Sequence, residues 1–179
     1  MTQVSSYSQT PARPAAARPV RPGTLVAAIG AAAVAGLAAI GNGVMVLATG
    51  PDIMIDIAAK AAGSSRAELE SSLGGGIDAL KEAAASDYDL LKNRAYLVLG
   101  CGVLLFLTAL LMRKAALWTR ILVTIFALAT AGSSLLVASR TDEGTTMMIV
   151  LGWVGVILAV VAIVTSWLPA NARYAKSAR

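Results

Sequence analysis

With 179 residues, 57% of them hydrophobic and only 14% charged, at a mean hydropathy of +0.72, the chain is too apolar for an ordinary water-soluble domain, in which about a quarter of residues carry charge. It has no histidine, which removes the usual general base at neutral pH, the commonest metal ligand and every Ser-His or Cys-His nucleophile pair, so hydrolase and zinc-enzyme chemistry are disfavoured. The net charge of +5 suggests nucleic acid only until the charges are located.

In chain order, residues 1–23 come first. Pro11, Pro14, Pro19 and Pro22 alternate there with Arg13, Arg18 and Arg21, a composition that cannot bury an apolar face and predicts disorder. Four apolar blocks follow, at 24–48, 95–112, 117–138 and 147–168. Each has about the 17 to 25 residues that cross the hydrocarbon core as a helix. Their only Asp, Glu, Lys or Arg is Arg120, close enough to the start of the third block to snorkel. The predicted fold is all-α, an integral membrane bundle of four transmembrane helices whose partner is the lipid bilayer. One competing description makes the first block a signal peptide, since Val46-Leu47-Ala48 ends on a small residue. Its apolar run of about 24 residues exceeds the ~7–15 of a signal core, which favours a retained helix.

The charges between the blocks are segregated. Arg13, Arg18, Arg21, Arg113, Lys114, Arg120, Arg173, Lys176 and Arg179 stand with no acidic residue among them, while the 49–94 segment and the turn holding Arg140, Asp142 and Glu143 contain all ten acids. The positive-inside bias then places both termini and the 113–116 turn in the cytoplasm, including a basic tail at 169–179, and makes the 49–94 segment extracytoplasmic. The basic residues are topology determinants beside anionic headgroups, so no nucleic-acid partner is expected. Trp118 and Trp167 are expected at the cytoplasmic interface, Tyr96 at the outer one, and Trp153 deeper, as a packing residue.

The first span has two faces. Val26, Ile29, Ala33, Leu37, Ile40, Val44 and Leu47 make a mostly bulky stripe; Ala27, Ala31, Ala35, Ala39 and Gly43 recur at i, i+4 on the other side. Small residues let helix backbones approach closely in lipid, so this second face is the expected packing face. Asn42, between Gly41 and Gly43, falls near its middle. Its carboxamide predicts an interhelical hydrogen bond, or alternatively a solute contact at a locally loosened helix. Thr130, Ser134 and Ala138 form a weaker stripe in the third span, and Gly100-Cys101-Gly102, Gly155 and Ala159 are read as packing positions. Cys101 is the only cysteine, so it has no intramolecular disulfide partner and is taken as an inert buried thiol.

The 49–94 segment reads as short helices. Ile53, Ile57 and Ala61 share a face in the first; Ser65 with Glu68 predicts a capping box for the second; Gly74-Gly75-Gly76 breaks the chain; a third piece follows; and Ser86 with Asp89 is a candidate cap for a helix that continues into the second span. Its apolar positions, Ile53, Ile57, Leu69, Leu73, Ile77 and Leu80, are too few for an independent domain and need a cover from the bundle, the membrane surface or a partner. The acidic cluster Asp78, Glu82, Asp87 and Asp89 lacks the spacing of a calcium loop and reads as a solvated face.

No phosphate-binding loop, nucleotide fingerprint or Cys/His cluster is found, so no cofactor, metal or catalytic residue is expected. A long first outer loop on four spans resembles the general plan of claudins, without that family's paired loop cysteines, and Ala- and Arg-rich composition hints at a bacterial source. The sequence favours a non-enzymatic structural or accessory subunit of a membrane assembly, acting by self-association or with another membrane protein. A small oligomeric channel or transporter is the alternative, with Asn42, Thr130 and Ser134 on its path. An extracytoplasmic lipid- or envelope-modifying enzyme ranks last.

Overall fold

A computed structural model describes residues 21–112, 116–139 and 144–177. Among the described residues there are helices and turns and no strand, as an apolar chain requires when its backbone must bond internally. Helix α1 (Gly23–Thr49) follows extended Pro22 and stops at Gly50, whose φ of 63° lies in the left-handed region. A 3-10 turn (Gly50–Asp52) leads into α2 (Ile53–Ala61), then α3 (Arg66–Leu73), a second 3-10 turn (Gly74–Gly76) and α4 (Ile77–Ala83). Helices α5 (Ala85–Leu111), α6 (Leu117–Ala138), α7 (Thr146–Ser166) and α8 (Pro169–Ser177) complete the chain.

The helices α1, α5, α6 and α7 are long and apolar enough to cross a membrane, and together they form a four-helix transmembrane bundle. Helix α1 packs along α5 and α7, α6 packs along the same two, and α1 and α6 face each other across the diagonal with few contacts. Consecutive spans therefore run up and down. One end, here the basic end, carries the start of α1, the start of α6 and helix α8; the other, the acidic end, carries α2 to α4. The predicted spans and the observed helices agree to within a few residues, except that α5 extends ten residues beyond the apolar block into the polar 85–94 stretch. Helix α7 also ends at Ser166, so that Trp167 and Leu168 form the turn into α8.

The predicted disorder of the N-terminal segment, together with Arg13, Arg18, Arg113, Lys114, Arg140, Asp142, Glu143 and Arg179, lies outside the described residues. Gly23, assigned to that segment, is the first residue of α1. Four other expectations need correction. The tail is not merely basic chain: Pro169, whose missing N–H is harmless in a first turn, opens α8. Ser86 caps nothing, because α5 begins after Ala84 with no side-chain cap. Trp153 is 46% exposed on the flank of the bundle instead of packing inside it; its neighbours Gly152 and Gly155 supply the inward contacts of α7, and an indole is too large for that seam. In α2 the buried residues are Ile53, Ile55 and Ala59, whereas Ala61 is exposed. Ile53 and Ile57 pack with Val46, Ala95 and Met148 at the acidic end of the bundle, and Ile55 and Ala59 are buried as well, so more than one stripe is covered.

Candidate functional site

Three places hold the polar side chains that a bundle of this kind must account for. The first is the α1 seam. Along it Ala31, Ala35, Ala39 and Gly43 are buried, as are Ala28, Ala32 and Gly36, but Ala27 is exposed. An i, i+4 row advances about 40° per step around a helix with 3.6 residues per turn, so Ala27 and Gly43 lie on nearly opposite sides. The seam instead narrows at Gly36 and Gly102. A Cβ on Gly102 would stand 2.8 Å from the Gly36 carbonyl oxygen, and one on Gly36 would stand 2.8 Å from that of Gly102. Further toward the acidic end, Gly43 lies against Ala95 and Leu99, where a Cβ would meet the Ala95 oxygen at 2.9 Å. Only glycine permits backbones this close. Gly100, two residues from Gly102, has open space around it and faces outward, so the grouping of both glycines as packing positions holds for one.

Asn42 is buried and its Nδ2 donates to the Met148 carbonyl oxygen at 3.2 Å. The carboxamide ties α1 to the first turn of α7. Helix α1 is continuous through Gly41 and Gly43, so the local loosening that a solute contact would use is not formed; a Cβ added at Gly41 would meet Leu151 Cδ1 at an ordinary 3.9 Å. Asn42, Gly43, Arg94, Ala95 and Met148 also line a cavity of about 10 Å³, room for roughly one water. Thr130 and Ser134 do not line it. Both are buried in α6; Ser134 faces Gly155, whose added Cβ would meet its Oγ at 3.1 Å. The Thr130 hydroxyl has no partner, unlike Thr108, Thr124 and Thr165, which donate to carbonyls four residues back. Thr130 and Ser134 thus do not share the cavity beside Asn42.

The second place is the basic end, and here sequence reasoning missed most of the site. Asn171 of α8 is completely buried. Its Oδ1 accepts from the Thr24 hydroxyl at 2.8 Å, its Nδ2 donates to the Thr165 carbonyl at 2.8 Å, and its backbone oxygen accepts from the Arg120 guanidinium. Beside it the Trp167 indole donates to the Thr124 hydroxyl at 2.9 Å. One residue therefore joins α1 and α7 through its side chain and α6 through its backbone oxygen to α8. Arg120 does not snorkel: it is 4% exposed, because the Asn171 carbonyl offers an acceptor inside the bundle. The topology residues Arg21, Arg173 and Lys176 are exposed at this end. A signal was present in Pro169-Ala-Asn-Ala, a helix start carrying a carboxamide just past an apolar span, but composition alone gave no reason to bury it.

The third place is the acidic end. Arg66 reaches Glu70 at 2.7 Å, Asp56 at 3.4 Å and Asp52 at 3.7 Å, while Lys81 pairs with Asp52 at 2.6 Å. Lys60 donates to the Gly144 carbonyl at 2.7 Å, fastening α2 to the turn before α7. The predicted capping box forms: the Glu68 amide donates to the Ser65 hydroxyl and the Glu68 carboxylate accepts from the Ser65 amide. Asp78, Glu82, Asp87 and Asp89 are exposed, and among the described residues no group of three His, Cys, Asp or Glu is placed to hold a metal ion.

Two carboxyls here sit below their ordinary range, Asp52 through its hydrogen bond and charge pairing with Lys81, and Glu68 through the Ser65 amide. A carboxyl with a lowered folded pKa contributes stability above its unfolded pKa and loses it as the pH falls through the folded value. Acidification from about pH 5 to below about pH 3, through the ordinary carboxylate range, is expected to loosen residues 52–83 while the spans stay protected. Amide exchange, corrected for the intrinsic pH dependence of the rate, checks this; uniform protection of α3 across that interval would contradict it.

Compared with known protein families, curated proteins and solved structures, the chain gives no match.

Proposed function

We propose that this multi-pass membrane protein is a non-enzymatic structural or accessory subunit of a membrane assembly, sited in a bacterial cell membrane with both termini in the cytoplasm. The observation that carries the reading is the use made of Asn42: the carboxamide inside α1 is spent on the Met148 carbonyl, and the seam beside it is closed by backbone contact. The bundle is thereby a self-contained support, and its uncovered part is the acidic-end segment. Helices α3 and α4 bury no residue, and Leu73 is exposed there, which fits contact with a second copy or another membrane protein. The segregation of basic and acidic residues supports the orientation. Retention of α1 fits its position, since it supplies Leu25, Ala32 and Asn42 to the interior.

The channel reading is weaker, because the cavity at Asn42 admits about one water and omits Thr130 and Ser134. Photocrosslinking from position 73 in native membranes tests the proposal: a defined adduct with one other membrane protein, or with the chain itself, is expected. Flux of ions or small neutral solutes through liposomes holding the full chain, lowered at least tenfold by Asn42→Ala, would overturn it in favour of the channel.

A further inference from the structure

Among the described residues the basic end holds a buried cation with no anion beside it. Arg120 is 4% exposed, its guanidinium donates to an uncharged backbone carbonyl, and its Nε has no hydrogen-bond partner. No rearrangement of nearby described side chains can neutralise it, because the eight described Asp and Glu residues all belong to the 49–94 segment, and the remaining two, Asp142 and Glu143, fall between α6 and α7 in sequence. A buried charge is normally paired, so the missing partner calls for a source outside the chain.

The start of α6 supplies the matching half of a site. Its N-cap is Ala116, no side chain caps its first-turn amides, and it has no acidic residue in its first turn. A 22-residue helix therefore presents its positive end uncompensated. Arg120 stands in the next position, and a helical side chain leans back toward the helix N-terminus. The helix dipole and Arg120 thus belong to the same end of α6, one turn apart at most, and their positive potentials add there, which favours an anion. The surroundings say at what depth that anion is met. Trp118 is 75% exposed in the same turn and Trp167 is exposed beside it, the placement of indoles at headgroup level, and Arg21, Arg173 and Lys176 raise the potential around them.

We infer that the N-terminus of α6, together with Arg120, is a phosphate-binding site, occupied in the membrane by the phosphodiester of an anionic phospholipid. The inference rests on the membrane reading of the fold and not on the accessory role proposed above. Bound lipid supplies the anion for Arg120 and accepts hydrogen bonds from the free amides of α6. It thereby holds in place the junction where Asn171 gathers α1, α6, α7 and α8.

The test uses the full chain in a maltoside detergent, which contains no phosphate, titrated with phosphatidylglycerol, with diacylglycerol, or with inorganic phosphate. Native mass spectrometry reads retained lipid and thermal unfolding reads the midpoint. Phosphatidylglycerol is expected to be retained and to raise the midpoint, with diacylglycerol inert. Arg120→Gln is expected to weaken retention at least tenfold, while the exposed pair Arg173→Gln/Lys176→Gln weakens it threefold or less. Should Arg120→Gln fail to fold, Ala116→Asp decides: Ala116 has φ −58° and ψ 148°, suited to an N-cap, so the new carboxylate occupies the positive end itself. That variant is expected to fold, to be more stable without lipid, and to lose most of the lipid-dependent rise. Equal retention by wild type and Ala116→Asp would overturn the inference, as would complete loss of retention in the Arg173/Lys176 pair alone. An equal midpoint shift from inorganic phosphate at the same concentration would overturn the lipid assignment and give the site to free phosphate.

Discussion

Gly102→Ala is expected to destabilise the bundle by about 1–3 kcal/mol, the usual range for an added group in a filled contact, whereas Gly100→Ala two residues away is expected to be neutral or to gain up to about 1 kcal/mol in helix preference. The added Cβ at 102 would lie 2.8 Å from the Gly36 carbonyl oxygen and 3.0 Å from the Ile40 nitrogen. Both are backbone atoms and neither can swing aside, so α1 and α5 must separate along the seam. At Gly100 there is nothing within 4 Å to displace. Gly36→Ala meets the same contact from the other side, at 2.8 Å from the Gly102 oxygen and 3.0 Å from the Phe106 nitrogen. Once the helices have parted for one methyl, the second enters space already made, so the double variant is expected to cost less than the sum of the singles, with coupling on the order of 1 kcal/mol. Reversible unfolding in mixed micelles of denaturing and mild detergent measures all four. Strict additivity, or equal effects at Gly100 and Gly102, would remove the close-approach account.

That contrast marks how far the sequence was informative. Hydrophobic block length and charge segregation were sufficient for four spans and their alternation, because a backbone in hydrocarbon has almost no alternative to a helix. Which side of a span meets protein was only half legible. The i, i+4 series in α1 identified Ala31, Ala35 and Ala39 but carried Ala27 along with them, since a row of small residues winds round the helix while a contact between two straight helices does not. The Gly100-Cys101-Gly102 triplet presented two equivalent glycines, and only the position of α1 distinguishes them. Asn42 was legible as a polar group in need of a partner, though not the Met148 carbonyl that serves it, since that oxygen belongs to a helix 106 residues away in sequence.

The basic-end junction was illegible for a different reason: its acceptors are backbone carbonyls, and nothing in Pro169-Ala-Asn-Ala says that the carboxamide at this helix start is buried against them. Its removal gives the second large effect expected. Asn171→Leu deletes the acceptor for the Thr24 hydroxyl and the donor to the Thr165 carbonyl, both at 2.8 Å, in a position with no exposed surface. Each lost hydrogen bond is worth about 1 kcal/mol, and a buried group left unpaired adds about 1–3 kcal/mol; the Thr165 carbonyl keeps the Leu168 amide at 3.4 Å, so the second cost falls on the Thr24 hydroxyl alone and a total on the order of 3–5 kcal/mol is expected. The leucine has no room to compensate, because the site is built around a planar carboxamide held on two sides. Thr24→Val removes one donor and leaves the fully buried Asn171 oxygen without it, so about 2–4 kcal/mol is expected there. Combining the two should recover the energy of the shared bond, again about 1 kcal/mol, since the Thr24 hydroxyl no longer needs an acceptor. The loss should also be local before it is global. Helix α8 has only nine residues and is too short to persist unaided, so Asn171→Leu is expected to raise amide exchange and protease cleavage across 169–177 while the Asn42 and Gly102 contacts of α1 stay protected. If α8 remained protected in Asn171→Leu, its docking would have to come from Tyr174 and Ala175, which pack against the buried core that includes Leu25, Ala28, Val123 and Ala162, and the carboxamide would be a passenger in the junction instead of its anchor.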